Sequence, residues 1–113
     1  MKAVILSISS DIGEQLGNVL IKKHFEVFGT YMSTRPSINL PEKNLLKLSI
    51  KDYNSSKYFD WLKLIGNWDL FISCIGTQSP IGRFEDVSPE KWVESVAINS
   101  TYQIASLMKA LEF

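Results

Sequence analysis

The fold of this 113-residue chain is decided by the stretch Ala3-Val4-Ile5-Leu6-Ser7-Ile8-Ser9-Ser10-Asp11-Ile12-Gly13, close to its start. Its first four residues form a continuous apolar run, which is typical of a strand covered on both faces. A small polar turn follows, and beyond it apolar residues recur at helical spacing, at Ile12, Leu16, Val19 and Leu20. The stretch therefore predicts a buried strand, a tight turn and an amphipathic helix over about Ile12–His24.

The same alternation of strands and helices continues along the chain. Apolar runs predict further strands at Val27–Tyr31, Leu45–Ser49 and Leu70–Ile72. Cap residues predict where the helices begin: Asp11 with Glu14 for the first, Asp52 for the second and Ser88-Pro89-Glu90 for the last. Gly66 is expected to end the second helix.

Apolar strands that alternate with amphipathic helices indicate an α/β fold with a parallel sheet. Right-handed crossovers then predict a partial doubly wound Rossmann fold, with about four strands in the order 3-2-1-4 and helices on both faces. Residues 1–113 are expected to form a single domain. The chain stops at Leu111-Glu112-Phe113, inside an apolar helical pattern without a stop signal, so we expect the fold to be truncated at its C-terminus.

Bulk composition argues against several classes of function. Lysine plus arginine and aspartate plus glutamate both number 12, so no net charge attracts nucleic acid. No stretch is long and apolar enough to cross a membrane. The single cysteine, Cys74, cannot form an intramolecular disulfide, which fits a cytoplasmic protein. One histidine, His24, distant from that cysteine in sequence, predicts no metal site, and the Gly-x-Ser-x-Gly elbow of serine hydrolases is absent.

The turn between the first strand and the first helix is a natural anion site, because free backbone N–H groups and the helix dipole point there. Ser7, Asp11 and Gly13 occupy the three marked positions of a Gly-x-x-x-Gly-x-Gly spacing, of which only the last glycine is kept. The Ser9-Ser10 pair and Ile12 complete a resemblance to the glycine motif of the short-chain dehydrogenase/reductase family. The resemblance implies that these residues bind a nicotinamide dinucleotide. Asp11 would put a carboxylate near the pyrophosphate, which is electrostatically unfavourable. This repulsion is smaller if Asp11 caps the helix, because its charge is then bonded to backbone N–H groups.

Two later segments resemble the same family. Ser73-Cys74-Ile75-Gly76 follows the fourth strand, where the family carries Asn-Asn-Ala-Gly, and the glycine is kept. Trp92–Asn99 is similar to the segment that ends in the family's active-site asparagine. The resemblance implies that Cys74, Ile75 and Gly76 contact the cofactor. It also implies that Asn99 is a catalytic residue, which interrupts the last helix and helps to hold a water in the proton relay. The resemblance covers nearly the whole chain, which corresponds to the N-terminal, cofactor-binding half of the family's domain.

The residues after the second strand bear on which nicotinamide cofactor is bound. An NAD enzyme usually has an acid there for the ribose hydroxyls, whereas this chain offers Tyr31, Ser33, Thr34 and Arg35. Hydroxyls and a guanidinium suit a 2′-phosphate, which predicts NADP(H) in preference to NAD(H). Ser49 and Ile50 fall where the family contacts the adenine.

The segment Tyr53-Asn54-Ser55-Ser56-Lys57 spells the family's catalytic Tyr-x-x-x-Lys pattern at the wrong place. It precedes the fourth strand and Asn99, whereas the family's pair follows that asparagine. We therefore expect Tyr53 and Lys57 to be surface residues of the second helix. The family's catalytic tyrosine, lysine and serine are not found after Asn99 within the chain.

The resemblance implies an NAD(P)-dependent oxidoreductase that transfers a hydride between the nicotinamide and the carbonyl or alcohol of a small-molecule substrate. The chain alone is expected to be inactive, and the full-length protein is expected to be a homo-oligomer. One alternative is a dinucleotide-binding regulatory or sensor module without catalysis. Another is an extended-type nucleotide-sugar epimerase or dehydratase, whose Gly-x-x-Gly-x-x-Gly spacing Ser7, Asp11 and Gly13 do not match.

Overall fold

The computed structural model describes residues 1–76 and 82–113. Its strands are β1 (Lys2–Leu6), β2 (Glu26–Tyr31), β3 (Leu45–Lys47) and β4 (Leu70–Ser73). Its α-helices are α1 (Asp11–Lys22), α2 (Ser56–Ile65), α3 (Pro89–Val96) and α4 (Tyr102–Ala110). Short 3-10 turns lie at Glu42–Asn44, Ile50–Asp52 and Phe84–Asp86, and a π-helical segment, Ala97–Thr101, joins α3 to α4.

The four strands form one parallel sheet in the order β3-β2-β1-β4, which confirms the predicted order. β1 is a central strand, with Val4 opposite Phe28 of β2 and Phe71 of β4. Residues Ala3–Leu6 of β1 are completely buried or nearly so. This central position explains the unbroken apolar run, because the side chains on both faces of β1 meet a layer of helices.

Side chains alternate along β1 and thereby divide the core into two layers. Val4 belongs to the layer formed with α2 and α4, which contains Phe28, Tyr58, Trp61, Leu62, Ile65 and Ala110. Ala3 and Ile5 belong to the layer formed with α1, which contains Ile8, Leu20, Val27 and Ile38. The predicted helices on both faces are thus confirmed. With both faces covered, a ligand cleft is expected at the carboxyl ends of the strands.

The start of α1 differs from the capping box predicted at Asp11. Ser10 is the cap, because its hydroxyl accepts a hydrogen bond from the Gly13 amide at 3.0 Å. Asp11 is the first helical residue and is exposed. Glu14 accepts hydrogen bonds from the Ser37 amide at 2.5 Å and from the Ser37 hydroxyl at 2.7 Å. The prediction was wrong because the serine one position earlier has the extended backbone that a cap requires.

The start of α2 lies later than a cap at Asp52 predicts. Asp52 belongs to a 3-10 turn, and its carbonyl accepts a hydrogen bond from the Ser55 amide at 3.0 Å. Ser55 caps the helix, with its hydroxyl accepting from the Tyr58 amide at 3.3 Å. Tyr53 therefore precedes the helix, contrary to the prediction that it lies on it. Gly66 ends α2 as predicted, with a φ of 72° that suits glycine.

The last predicted helix begins as expected but is not one continuous α-helix. Ser88 caps α3, with its hydroxyl accepting from the Lys91 amide at 3.4 Å. The π-helical segment then separates α3 from α4, and Asn99 is its central residue. The interruption that the family resemblance implies at this asparagine is therefore present in the backbone.

The third strand is shorter than the predicted Leu45–Ser49. It ends at Lys47, and Ser49 caps the 3-10 turn that follows.

Candidate functional site

Ser7 follows β1 with a left-handed backbone, at a φ of 60°. Among residues 1–76 and 82–113, His24 is the one other non-glycine residue with a positive φ. Thr30 of β2 holds the turn: its hydroxyl accepts from the Ser7 amide at 3.0 Å and its carbonyl accepts from the Ile8 amide at 2.9 Å. A left-handed backbone costs an L-residue about 1–2 kcal/mol. The position therefore has the geometry for which a glycine motif is suited.

Gly13 is the one motif glycine that the chain keeps, and the structure gives its physical reason. A Cβ at this position would lie 2.6 Å from the Ser7 carbonyl oxygen and 2.9 Å from the Ile8 Cα. Both are backbone atoms, which cannot move aside as a flexible side chain can. The first turn of α1 consequently packs directly on the β1–α1 turn. Its free N–H groups and the positive end of its dipole lie at the carboxyl end of β1.

A cleft of ≈ 510 Å³ opens at this edge of the sheet. The volume falls within the range of small-ligand sites, roughly 300–1,000 Å³. The predicted cofactor residues that line it are Ser7, Ser10, Tyr31, Ser49, Ile50, Cys74, Ile75 and Gly76. The cleft is formed where the strand order reverses between β1 and β4, which is the expected ligand position in a doubly wound sheet.

The remaining predicted residues do not line the cleft. Ser9 lies in the turn after β1, and Asp11, Ile12 and Gly13 form the first turn of α1, next in sequence to the lining residues Ser7 and Ser10. Ser33, Thr34 and Arg35 lie on the loop that follows β2 and are exposed. Asn99 is exposed as well, although its neighbour Ile98 lines the cleft.

Sequence reasoning missed part of the lining, namely Thr30, Met32, Leu48, Lys51, Glu94 and Ile98. Thr30 and Met32 flank a predicted residue at the end of β2, so the strand boundary could have indicated them. Leu48 and Lys51 similarly flank the predicted pair after β3. Glu94 and Ile98 come from α3 and the π-helical segment, and no local pattern marks them.

Arg35 is held beside the ring of Tyr31 at the rim of the site. Its guanidinium forms an ion pair with Glu42 and lies 5.9 Å from the centroid of the Tyr31 ring. The hydrogen bond and the charge of Glu42 raise the pKa of Arg35. Both side chains of the ion pair are well exposed. An exposed pair of this kind contributes little to stability, so the guanidinium can exchange Glu42 for another anion at small cost.

Two lining residues of the cleft, Lys51 and Glu94, form an ion pair. The Lys51 ammonium donates to the Glu94 carboxylate at 2.5 Å, joining the turn after β3 to α3. The hydrogen bond and the opposite charge raise the pKa of Lys51 and lower the pKa of Glu94. The single carboxylate in the described lining is therefore neutralised by the single ammonium in it.

Cys74 continues the backbone pairing of β4 into the cleft, with its amide donating to the Leu6 carbonyl at 3.0 Å. Partial burial raises the pKa of the Cys74 thiol, and a hydrogen bond with Ser10 opposes that effect. The thiol is thus favoured over the thiolate, and it adds no negative charge beside the turn where an anion would bind.

Asn99 approaches the cleft loop from the π-helical segment. Its side-chain amide donates to the Ser95 hydroxyl at 3.4 Å. A Cβ placed on Gly76 would lie 3.5 Å from the Asn99 Oδ1, which is ordinary van der Waals contact. The loop after β4 and the asparagine predicted to be catalytic are therefore neighbours in space.

No protein-family model matches the chain, and no curated protein matches it. Solved structures match it over almost its whole length. One is a short-chain dehydrogenase from Leptospira borgpetersenii with bound NAD⁺, at a TM-score of 0.80 and 19% identity over 98% of this chain. A second, a short-chain dehydrogenase/reductase from Saccharomyces cerevisiae, has a TM-score of 0.81 and 20% identity over 98%. A third, an aldohexose dehydrogenase from Thermoplasma acidophilum in ligand-free form, has a TM-score of 0.83 and 15% identity over 99%.

The chain has the short-chain dehydrogenase/reductase fold. The match confirms, for the fold, the resemblance drawn from the glycine turn, the loop after β4 and the segment ending at Asn99. The chain spans 44%, 47% and 44% of the lengths of these three chains, respectively.

Within the short-chain dehydrogenase/reductase fold, the Tyr53–Lys57 pattern lies away from the cleft lining. The Tyr53 ring packs against the Tyr102 ring, with 5.8 Å between their centroids. Lys57 is exposed in the first turn of α2.

Across residues 1–76 and 82–113, no helix is long and apolar enough to span a membrane. The same residues contain no group of three or more His, Cys, Asp or Glu side chains that could hold a metal ion.

Proposed function

We propose that residues 1–113 form the dinucleotide-binding domain of an NAD(P)-dependent oxidoreductase of the short-chain dehydrogenase/reductase type. The reaction is hydride transfer between the nicotinamide and the carbonyl or alcohol of a small-molecule substrate. The observation that carries the proposal is the left-handed turn at Ser7, packed on a glycine that has no room for a Cβ, beside a cleft at the carboxyl edge of the sheet.

The chemistry of the cleft fits a nicotinamide dinucleotide. Hydroxyls of Ser7 and Ser10 and the free N–H groups of α1 are donors suited to a pyrophosphate. Ser49 and Ile50 offer a hydroxyl and an apolar side chain for the adenine. Asp11 is an exposed first-turn residue outside the described lining, which reduces the electrostatic cost of its carboxylate to a pyrophosphate in the cleft.

The nicotinamide, when bound, supplies the hydride chemistry, and the chain supplies binding and orientation. Ser33, Thr34 and Arg35 on the loop after β2 would hold a 2′-phosphate, which favours NADP(H) over NAD(H). Asn99 would help to hold a water for proton transfer beside the loop after β4. Its place in the π-helical segment supports this role, because such segments frequently occur at functional sites.

Titration of the protein with NADPH, followed by the fluorescence of its three tryptophans, tests the proposal. We expect saturable binding, and we expect Gly13→Ala to weaken it about tenfold or more, because the added methyl displaces the turn. Asn18→Ala, on an exposed position of α1, serves as the control and should bind as the wild type does. Absence of NADPH and NADH binding by the folded wild-type protein would contradict the proposal.

Turnover separates the oxidoreductase from a non-catalytic sensor module. A full-length protein that oxidises NADPH with a panel of aldehydes and ketones is an enzyme. Tight binding of NADPH without turnover across aldehydes, ketones and, in the reverse direction, alcohols would favour the regulatory module instead.

A further inference from the structure

Gln103 lies in the first turn of α4, directly after the π-helical segment, and its side chain reaches two other segments. Its Nε2 donates to the Ile75 carbonyl at 2.7 Å and to the Ile98 carbonyl at 3.1 Å. Its Oε1 accepts from the Ser73 hydroxyl at 2.6 Å. One partly buried side chain thus joins the end of β4, the loop beyond it and the π-helical segment.

The chemistry of these partners requires an amide at position 103. A carbonyl is an acceptor only, so the group facing Ile75 and Ile98 must carry two N–H donors. The Ser73 hydroxyl fixes the other end of the amide, because it donates to the oxygen. Glutamine satisfies all three contacts at once, whereas a carboxylate of the same shape offers no donor to either carbonyl.

The two carbonyls belong to two different segments of the cleft lining. Ile75 and Ile98 both line it, and Gln103 is not among the described lining residues. The same two segments carry Gly76 and Asn99, which approach each other closely. A residue outside the described lining thus bridges the two segments.

We propose that Gln103 is a positioning residue that fixes the distance between the Cys74–Gly76 loop and the π-helical segment, and thereby the affinity of the cleft for its nicotinamide dinucleotide. This inference rests on the proposed function. The clamp acts through the backbone carbonyls of Ile75 and Ile98, and the Ser73 hydroxyl orients it.

Gln103→Glu in the full-length protein tests the clamp with almost no change of shape. At pH 7 the carboxylate faces two carbonyl oxygens, so we expect NADPH binding to weaken about tenfold. The loss should shrink as the pH falls toward about 5, because a protonated carboxyl regains one O–H donor. Asn18→Asp, an amide-to-carboxylate change on an exposed position of α1, should show neither effect.

Ser73→Ala provides a second test that leaves the backbone contacts of Gln103 in place. It should weaken NADPH binding about threefold, and Ser73→Thr, which keeps the hydroxyl, should restore it. A wild-type protein that binds neither NADPH nor NADH refutes the proposed function. If the wild type binds NADPH, and folded Gln103→Glu and Ser73→Ala bind it equally well while only their melting temperatures fall, the clamp is merely structural and this inference is wrong.

Discussion

Ser7 combines a left-handed backbone with a side chain. Its left-handed φ imposes a steric cost that glycine does not have. We expect Ser7→Gly to raise the free energy of unfolding by up to about 1 kcal/mol, measured by urea denaturation. Ser56→Gly, in the first turn of α2, is the matched control with the opposite sign, because a helical position gains nothing from glycine. Destabilisation by Ser7→Gly would mean that the Ser7 hydroxyl stabilises the fold by more than the left-handed backbone destabilises it.

Arg35 decides the proposed preference for NADPH over NADH. One charge-assisted contact contributes about 1.5–3 kcal/mol, so the preference should be about tenfold or more. Arg35→Ala should remove most of it and leave the Kd for NADH unchanged. Glu42→Gln should tighten NADPH binding a few-fold, because Arg35 no longer has to give up its ion pair with Glu42 before it binds the phosphate. That factor is roughly the contribution of an exposed ion pair.

The control for Arg35→Ala is Arg83→Ala, which removes the other arginine of the chain together with its ion pairs to Glu85 and Asp86. It should leave both dissociation constants unchanged. Equal affinity of the wild type for NADPH and NADH, measured by fluorescence titration, would overturn the assignment of the 2′-phosphate to the loop after β2.

The start of α1 depends on Ser10. Ser10→Ala should cost about 1 kcal/mol of stability, because the Gly13 amide loses its acceptor. Asp11→Ala should cost only a few tenths of a kcal/mol, roughly the interaction of an exposed carboxylate with the helix dipole. Thermal denaturation of the two variants, side by side, measures the difference. A larger effect at Asp11 would restore the capping box predicted from the sequence.

The loop after β2 is tied to α1 through Glu14. The hydrogen bonds from the side chain and backbone of Ser37 lower the pKa of the Glu14 carboxyl below its ordinary value of 4.5. A lowered pKa stabilises the fold above that ordinary value, and the stabilisation is lost as the pH falls through the lowered pKa. In an NMR titration, the amide proton of Ser37 should therefore shift with a midpoint below 4.5. A midpoint at or above that value would show that the tie is absent in solution.

The last helix, α4, is attached to the core through the buried phenol of Tyr58. The Tyr58 hydroxyl donates to the Ser106 carbonyl at 2.9 Å, and burial raises the pKa of Tyr58. Tyr58→Phe keeps the ring and removes this hydrogen bond, so it should cost about 1 kcal/mol of stability. Phe59→Leu, at a partly buried neighbouring position, tests whether loss of aromatic packing alone has the same effect. An unchanged free energy of unfolding in Tyr58→Phe would contradict the role of the hydroxyl.

The sequence predicted the four strands because apolar runs and helical spacing report burial. Right-handed crossovers between those strands then predicted the order β3-β2-β1-β4. The sequence placed the caps at Asp11 and Asp52 wrongly, because serine and aspartate are near-equal caps and only the backbone selects between them. Eight lining residues at or after strand ends were among the predicted residues, whereas Thr30, Met32, Leu48 and Lys51, which adjoin them, were missed. Glu94 and Ile98 were not predicted, because contacts across some forty residues leave no local pattern.

The π-helical segment Ala97–Thr101 has a consequence for insertions and deletions. Its i→i+5 hydrogen bonds amount to one extra residue in an otherwise α-helical rod. Deleting Ser100 should therefore let α3 and α4 fuse into a regular helix in which α4 keeps its phase relative to the sheet. Ser106 and Ala110, which are almost completely buried, should stay in the core. The segment thus absorbs one residue of length, and circular dichroism of the deletion variant should show the helix content of a folded protein; an unfolded variant would contradict this interpretation.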